Sequence, residues 1–545
     1  MLRRAFPLDR GPCRRAPGVG ADPSSGRRAG AGVGIGVMLA RARVAICRTR
    51  ADGSTPRFHP FTLGLLLAVF FVPYPWSFLA PLPLAGLFAL IHRAPTARAA
   101  FAVAFWGGVG FFGLHLSWLP VSFADLFGPV IVPPLLVLPF LLAAFWGATA
   151  ALCRLTGRHT LLVLPFAWVV MEYLRSLGVF GFPWGALGYA FLPTPLVQVA
   201  DLGGVYLVGL LVAGSAAALA ALLERRWRPT ALLAVLLVAA TGYGLTRPAP
   251  PEPDKTVLLV QGAVDPLDKA SERSMAELEH YASLTMQGLA SAGVPVDLVV
   301  WPEGASPLPV DDDRVQRILA WFDAPAIVGA PSYRGGYQNS AYGFDGAVTG
   351  SYGKVKLVPF GERFPLREAF AFVYDPLFAA IGLPGLVSAT PGAGYRPLVV
   401  GGMVVGTYIC YESVFPQVAR SMVRNGAEVL VNISNDAWFG RTAGAEQHFQ
   451  MGRVRAIETR RTVARAGNDG ITAVIAASGR VVERFPRGQQ EAFVARFATS
   501  DVVTAYVRFG DWVVAVAGLV LVVVALASVR TATRRHRGEP RPQAA

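Results

Sequence analysis

Seven apolar stretches crowd the first half of the chain, at about 61–76, 78–91, 99–119, 130–152, 160–174, 196–223 and 231–245, and an eighth lies at 512–529. About 20 apolar residues suffice to cross a bilayer as a helix, and within hydrocarbon only helices and closed barrels satisfy their own backbone. These runs therefore predict a helical membrane bundle. The first two are short enough to form a re-entrant pair. Residues 255–505 have the mixed texture of a globular domain, so the chain must fold in two solvents. Composition agrees: 53% of the 545 residues are hydrophobic and 16% are charged, against about one quarter charged in typical soluble domains.

The net charge of +15 has a membrane explanation. Arginines gather in the short connectors, at Arg93 and Arg98, Arg154 and Arg158, and Arg225, Arg226 and Arg228, and again in the tail at Arg530, Arg534, Arg535 and Arg537. With a cytoplasmic leader, eight spans place all of them on the cytoplasmic side and residues 247–508 on the other. The remaining connectors, such as PVSFADLFGP, carry no Lys or Arg except Arg175 at the edge of the fifth span. The basic balance thus reads as orientation, and no nucleic-acid partner is expected. The organisation is an Arg-rich leader at 1–56, expected to be disordered from its Gly, Ala, Pro and Arg content, and a seven-span bundle at 57–246. A globular domain at 255–505, a C-terminal span at 511–529 and a basic tail at 530–545 follow. The GVGIGV of the leader has neither the preceding strand nor the following helix of a dinucleotide loop.

Beyond the linker TRPAPPEPD, strand and helix signals alternate. TVLLVQG, DLVVWPEG, PAIVGAPSY, PLVVGGMVVGTYICY and AEVLVNIS read as buried strands, being β-branched and bounded by Gly, Pro or Asp. ASERSMAELEHYASLTMQGLA, DRVQRILAWF, PQVARSMVRNG and EQHFQMGRVRAIETRRT read as helices. The sum is one α/β domain of about 250 residues, large enough for its own core.

Three reactive residues stand at or just after the ends of predicted strands: Glu303 in VVWPEG, Lys354 in GSYGKVKLVPFGE and Cys410 in GTYICYES. Strand ends are where an α/β sheet presents catalytic groups. A carboxylate can take a thiol proton, the thiolate can attack a carbonyl carbon, and an ammonium can stabilise the resulting oxyanion. Singly, each residue also suits a surface charge or a small core hydrophobe. Cys13, Cys47 and Cys153 lie in the leader or at the edge of an apolar run, so Cys410 is expected to be a free thiol. The seven histidines lack HExxH or Cys–His spacing, and neither a metal nor another cofactor is expected. His448 reads as a hydrogen-bonding support for the site.

Taken together, WPE at 301, KVKLVPFGE at 354–362, CYE at 410, NISNDAWFG at 432, EQHFQMGRVRAIE at 446 and FPWGALGY at 182 resemble the nitrilase superfamily. Within it they resemble the membrane-embedded apolipoprotein N-acyltransferases, over nearly the whole chain after residue 57. The resemblance implies an external αββα sandwich and a Glu–Lys–Cys triad. Glu303 would be the proton acceptor, Lys354 the electrophilic support and Cys410 the nucleophile, with Glu362, Tyr411 and Glu412 supporting the pocket. The family's lysine stands eight residues before the glutamate of LVPFGE, which selects Lys354 over Lys356. The implied substrates are a phospholipid acyl donor and the N-terminal diacylglyceryl-cysteine of an apolipoprotein, at an inner membrane with the catalytic domain periplasmic. A tethered nitrilase-like hydrolase using water as acceptor is the alternative, and a solute transporter a more distant one. The sequence departs from the family's Asn and Trp at Ala263 and Ala270, which affects substrate contacts from that loop.

Two further features stay open between readings. Glu172 and Arg175 suit a local ion pair or a lipid-headgroup contact. LREAFAFVYDPLFAAIGLPGL, residues 366–386, contains Pro376, Gly382 and Pro384, which argue against one long buried helix. A mobile apolar arm resting on the membrane is expected there, with Phe370, Phe372, Leu377, Phe378 and Ile381 excluding water from the site.

Overall fold

The computed structural model describes residues 58–265, 275–381 and 388–536. The expectations for the leader, Ala270, Gly382, Pro384 and the tail beyond residue 536 lie outside them. Helices α1 (Phe58–Val69), α2 (Pro81–Arg93), α3 (Ala97–His115), α4 (Trp118–Phe127), α5 (Leu138–Arg154), α6 (Thr160–Arg175), α7 (Ala200–Leu223) and α8 (Trp227–Leu245) make up the apolar region. Among the described residues, four helical stretches are long and apolar enough to cross a membrane: Ala97–His115, Pro129–Arg154, Pro195–Leu223 and Trp227–Leu245. Shorter apolar helices include the C-terminal stretch Trp512–Ser528. The run expected at 99–119 is broken after His115, and α4 turns away to meet the loop at Phe439, whose carbonyl accepts a hydrogen bond from Ser122 Oγ (2.7 Å).

The arginine connectors converge. Arg93 Nε donates to Glu224 (2.7 Å), and Arg154 Nε donates to the Ala94 carbonyl (2.5 Å), so the loops after α2, α5 and α7 meet at one end of the bundle. The opposite end carries the α/β domain, which comprises strands β1 (Lys255–Gln261), β2 (Leu298–Val300), β3 (Ala326–Ser332), β4 (Gln338–Asp345), β5 (Ala347–Gly353), β6 (Leu398–Val400), β7 (Met403–Ile409), β8 (Val429–Ser434), β9 (Val463–Gly467), β10 (Ala473–Ile475), β11 (Val481–Arg484) and β12 (Glu491–Phe497). Two six-stranded sheets result, ordered β12-β1-β2-β3-β4-β5 and β11-β10-β9-β8-β7-β6. The run TVLLVQ is apolar throughout because β1 is buried on both faces. Val257 and Leu259 join one hydrophobic core, while Leu258 and Val260 join another, as the two-residue period of a strand requires.

Helices α9 (Met275–Ser291) and α10 (Asp313–Ala320) contribute Leu278, Tyr281, Val315 and Ile318 to the core on the outer side of the first sheet. Helices α12 (Pro416–Arg424) and α13 (Gly444–Thr459) pack beside the second, bringing Val418, Met422 and Phe449 into a core that continues into the bundle. β1 contacts β9, and β4 contacts β6 and β7, where the two sheets face each other. PLVVGGMVVGTYICY, read as one strand, is two: Gly401 and Gly402 take φ of +57° and +71° and turn β6 back onto β7. Two consecutive residues with positive φ make the hairpin turn that a Gly-Gly pair favours.

The domain is seated on the bundle by polar contacts. Trp184 Nε1 donates to Gln447 Oε1 (2.7 Å), and Gln447 Nε2 donates to the His115 carbonyl (3.0 Å). α7 breaks at Gly203 and Gly204, and the freed N–H of Val205 donates to Glu458 Oε1 (2.8 Å), so a carboxylate from α13 caps the second half of a bundle helix. Gly204, at φ +67°, lies where a Cβ would meet the Tyr506 ring at 2.6 Å. After the short α14 (Ala505–Phe509), the chain re-enters the bundle as α15 (Trp512–His536). That helix runs seven residues past the span boundary expected at 529.

Candidate active site

Glu303 follows β2, Lys354 follows β5, and Cys410 follows β7. The first sheet supplies Glu303 and Lys354, and the second supplies Cys410. Lys354 is 1% exposed, and its ammonium donates to Glu303 Oε1 (3.1 Å) and Glu362 Oε1 (2.8 Å). Asn339 Nδ2 donates to the same two oxygens, at 2.7 and 2.9 Å. The second oxygen of Glu303 accepts from the Asn435 backbone N–H (2.9 Å), and that of Glu362 from the Val358 N–H (2.9 Å). Burial opposes the charge on Lys354, but Glu303 and Glu362 more than offset it, and its pKa is raised well above the ordinary lysine value. The lysine is thus a fixed cation, and a buried cation between two carboxylates is costly to leave half-paired. Asn339 escaped the sequence reading because QNSAYGFD is polar and Gly-interrupted; only pairing of β4 with β3 and β5 brings it, half-buried, to the two carboxylates.

Cys410 is a buried free cysteine at φ +51°. A non-glycine residue in this region is strained by roughly 1 kcal/mol or more, and the surroundings hold it there. The Ile409 N–H donates to Glu412 Oε2 (2.8 Å). On the other side, His448 Nε2 lies 3.1 Å from the Cys410 carbonyl and 2.8 Å from Ser413 Oγ. Burial and the Glu303 charge push the thiol pKa up, outweighing the opposite pull of Lys354 and of a hydrogen bond with Ser434. The resting group is a neutral thiol that needs a proton acceptor. Because the thiolate is the reactive species, alkylation of Cys410 by iodoacetamide should be slow at pH 7 relative to free cysteine and keep accelerating as pH rises. A rate already at its plateau near pH 7 would mark a preformed thiolate and contradict this geometry.

The supporting residues are brought to the same place. Glu412 Oε1 accepts from Tyr352 OH (2.7 Å) and from the N–H groups of Val355 (2.8 Å) and Lys356 (3.0 Å), tying the lysine loop to the cysteine turn. Burial raises its pKa, and these three donors together with the Ile409 N–H pull the other way. Tyr411 OH donates to the Gly181 carbonyl (2.9 Å), linking the cysteine turn to the segment after α6. Lys356 points elsewhere, its ammonium 5.3 Å from the centre of the Phe415 ring. His448 is held by Asp436, whose Oδ1 lies 3.1 Å from Nδ1, and Asp436 pairs with Arg465 at 2.8 Å. Burial and Arg465 lower the pKa of His448, while Arg465 and His448 hold that of Asp436 down against burial. The histidine is therefore a neutral brace under the Cys410 backbone, as its position on EQHFQM suggested. Asp436 and Arg465 were missed, lying 12 and 17 residues from His448 in sequence with no shared motif.

Outside this cluster, Glu172 and Arg175 are both buried near the end of α6. Glu172 Oε1 accepts from the Leu187 N–H (2.9 Å), and the Arg175 guanidinium sits 5.1 Å from the Phe112 ring centre. Ala263, one of the family departures, takes φ +49°, a conformation that Asn adopts more readily. The arm contains α11 (Ala371–Ala380). Phe370 and Phe372 are exposed, but Phe378 is buried against Tyr374 of the arm and Phe364 just before it.

Comparison with known proteins covers both halves of the chain. The family model described as the apolipoprotein N-acyltransferase N-terminal domain matches residues 63–218, and the carbon-nitrogen hydrolase model matches residues 256–505. The apolipoprotein N-acyltransferase of Methylococcus capsulatus is 37% identical over 479 residues, covering 83% of this chain and 92% of the relative. That of Azotobacter vinelandii is 36% identical over 509 residues, covering 88% and 95%. A crystal structure of a carbon-nitrogen hydrolase from Helicobacter pylori aligns with TM-score 0.35 and 18% identity, over 48% of this chain and 92% of the other.

Proposed function

The chain belongs to the apolipoprotein N-acyltransferase family, and from that premise we propose how its own residues carry the reaction. The enzyme is an acyltransferase of the membrane, acting on lipoproteins. One observation carries the mechanistic reading: a buried lysine bridges two carboxylates beside a buried, neutral thiol, on a turn hydrogen-bonded to the membrane region.

In the first half-reaction Glu303 takes the proton of Cys410, and the thiolate attacks an ester carbonyl of a phospholipid. Lys354 faces the oxygen that becomes negative. The carbon–sulfur bond forms, the ester carbon–oxygen bond breaks, and the proton on Glu303 passes to the departing alkoxide, releasing lysophospholipid. In the second half-reaction the α-amine of the diacylglyceryl-cysteine attacks the thioester; Glu303 accepts the amine proton and returns it to the sulfur, leaving an amide and free Cys410. Glu362 and Asn339 hold the lysine and Glu303 in place, while Glu412 and His448 hold the turn that carries the thiol. A hydrolase using water as acceptor is not favoured, since relatives aligned over 83% and 88% of this chain are named as acyltransferases. Intact mass after incubation with phospholipid should show one acyl adduct, mapping to Cys410. An unmodified protein with lipid turnover intact would sink the thioester.

Lys354→Arg should form that adduct about 10²-fold or more slowly, as expected on misplacing one transition-state donor, while Lys356→Arg should stay within about tenfold. The reverse ranking would reassign the lysine.

We read the α/β unit as an αββα sandwich and the bundle as eight spans of an inner membrane, counting the shorter helices α1, α2, α6 and α15. The convergence of the Arg93, Arg154 and Glu224 loops at the end opposite the α/β domain supports a cytoplasmic arginine end and a periplasmic catalytic domain. Cysteines introduced near Asp311 should react with a membrane-impermeant thiol reagent once the outer envelope is opened, and cysteines near Arg226 should not. Labelling at Arg226 alone would invert the orientation.

A further inference from the structure

Between the segment after α6 and the loop that carries Glu362 lies a cavity of about 570 Å³. Val179 and Phe180 line one side; Arg363, Phe364, Leu366 and Ser388 line the other. Both sides are chained to the active site. Gly181, next to Phe180, accepts the hydrogen bond of Tyr411 OH. Arg363 directly follows Glu362, which holds Lys354, and the Glu362 carbonyl accepts from the N–H of Ala389, the residue after Ser388 (2.7 Å). The mouth is apolar, with Phe180, Phe360 and Leu366 exposed and the first two rings 6.1 Å apart. Arg363 is the charged member of the lining, and among the described residues its guanidinium enters no hydrogen bond or ion pair.

A guanidinium with its donors free, set in an apolar rim one residue from a catalytic-cluster carboxylate, has the geometry for a phosphate whose attached chains stay in hydrocarbon. Its planar fork fits two phosphate oxygens at once. We propose that this cavity holds the phosphodiester headgroup of the glycerophospholipid donor, with Arg363 on the phosphate, so that the ester carbonyl is presented to Cys410 and the acyl chains leave past Phe180, Phe360 and Leu366. The assignment rests on the reading of Cys410 as the acyl-accepting thiol and specifies which donors it meets. A donor with the same chains and no phosphate lacks this anchor.

Two readouts separate the headgroup site from the chemistry. The first is binding of a labelled glycerophospholipid to the full-length C410A protein in detergent, which involves no acyl transfer. Adding Arg363→Ala should weaken that binding about tenfold or more, and Arg363→Lys should restore part of it. The second is the initial rate of acyl-enzyme formation at subsaturating donor. R363A should slow it about tenfold with glycerophospholipid and leave it within about twofold with diacylglycerol of the same chains. Equal losses on both donors would mean that Arg363 is structural, and no loss on either would mean that the phosphate sits elsewhere; each overturns the assignment. Binding that depends on Arg363 in a protein that forms no adduct from any donor would leave the headgroup site standing and remove the thioester reading.

Discussion

Cys410→Ala should yield no acyl adduct on incubation with phospholipid, and N-acylation of a diacylglyceryl peptide should fall by about 10⁴-fold or more, the scale expected when a covalent nucleophile is removed. The cause is local. The thiol stands on a strained turn at the end of β7, fixed through Glu412 below Ile409 and His448 behind the carbonyl. No other cysteine among the described residues can replace it, since Cys153 is buried in α5 within the bundle. The substitution removes one sulfur and its hydrogen bond with Ser434, whose hydroxyl keeps its bonds to Asp436 and Arg465, so the melting temperature in detergent should move by only a few degrees. Retention of an acyl adduct in the alanine variant would place the acyl group on another residue.

Glu303→Gln should produce the second large loss, a slowing of acyl-enzyme formation by about 10²- to 10⁴-fold, the range general-base removal commonly costs. An amide of the same shape cannot take the thiol proton. It also disrupts the cluster, because the two glutamate oxygens between them accept from Asn339, Lys354 and the Asn435 N–H, and the amide nitrogen must face at least one of these donors. The pH dependence separates the two effects. The Cys410 pKa is raised by burial and by Glu303, so in the variant the thiolate must come from solvent and the rate should climb with pH through the alkaline range. The wild type, with its own acceptor, should depend on pH far less there. A variant within tenfold of wild type at pH 7 would take the proton-accepting role from Glu303.

Much of this site could be read from the chain, for a physical reason. Reactive groups at strand ends leave a local signature, a β-branched run closely followed by a reactive side chain, and Glu303 and Cys410 carry it; Lys354 follows the Gly-interrupted AVTGSYG and was reached through its eight-residue spacing to Glu362. Membrane helices leave a stronger one, because hydrocarbon demands length and apolarity together. Contacts between distant segments were illegible. Asn339 lies half-buried on a polar strand that only its partners position, and the Asp436–Arg465–His448 brace joins the turn after β8, β9 and α13 without any spacing rule. The Gly401–Gly402 hairpin was visible in principle, as a two-glycine turn between β-branched runs, but the continuous apolar pattern around it reads as one strand. The arm differs for the opposite reason: its aromatic content suggested a uniform water-excluding surface, yet Phe378 is spent on packing against Phe364 and Tyr374, leaving Phe370 and Phe372 outward. Exposed aromatics grouped on the arm suit a surface that rests on lipid.

The central claim is that the thioester on Cys410 is discharged by an amine and protected from water, as a reactive intermediate in a closed site must be. The direct test follows acyl-labelled phospholipid in the presence of saturating diacylglyceryl peptide and measures the ratio of N-acylated peptide to free fatty acid. The account predicts N-acylated peptide as the dominant product, a long-lived acyl-enzyme when the peptide is omitted, and no discharge by the same peptide with a blocked amine. Free fatty acid as the main product at saturating peptide would contradict it and make the protein a hydrolase.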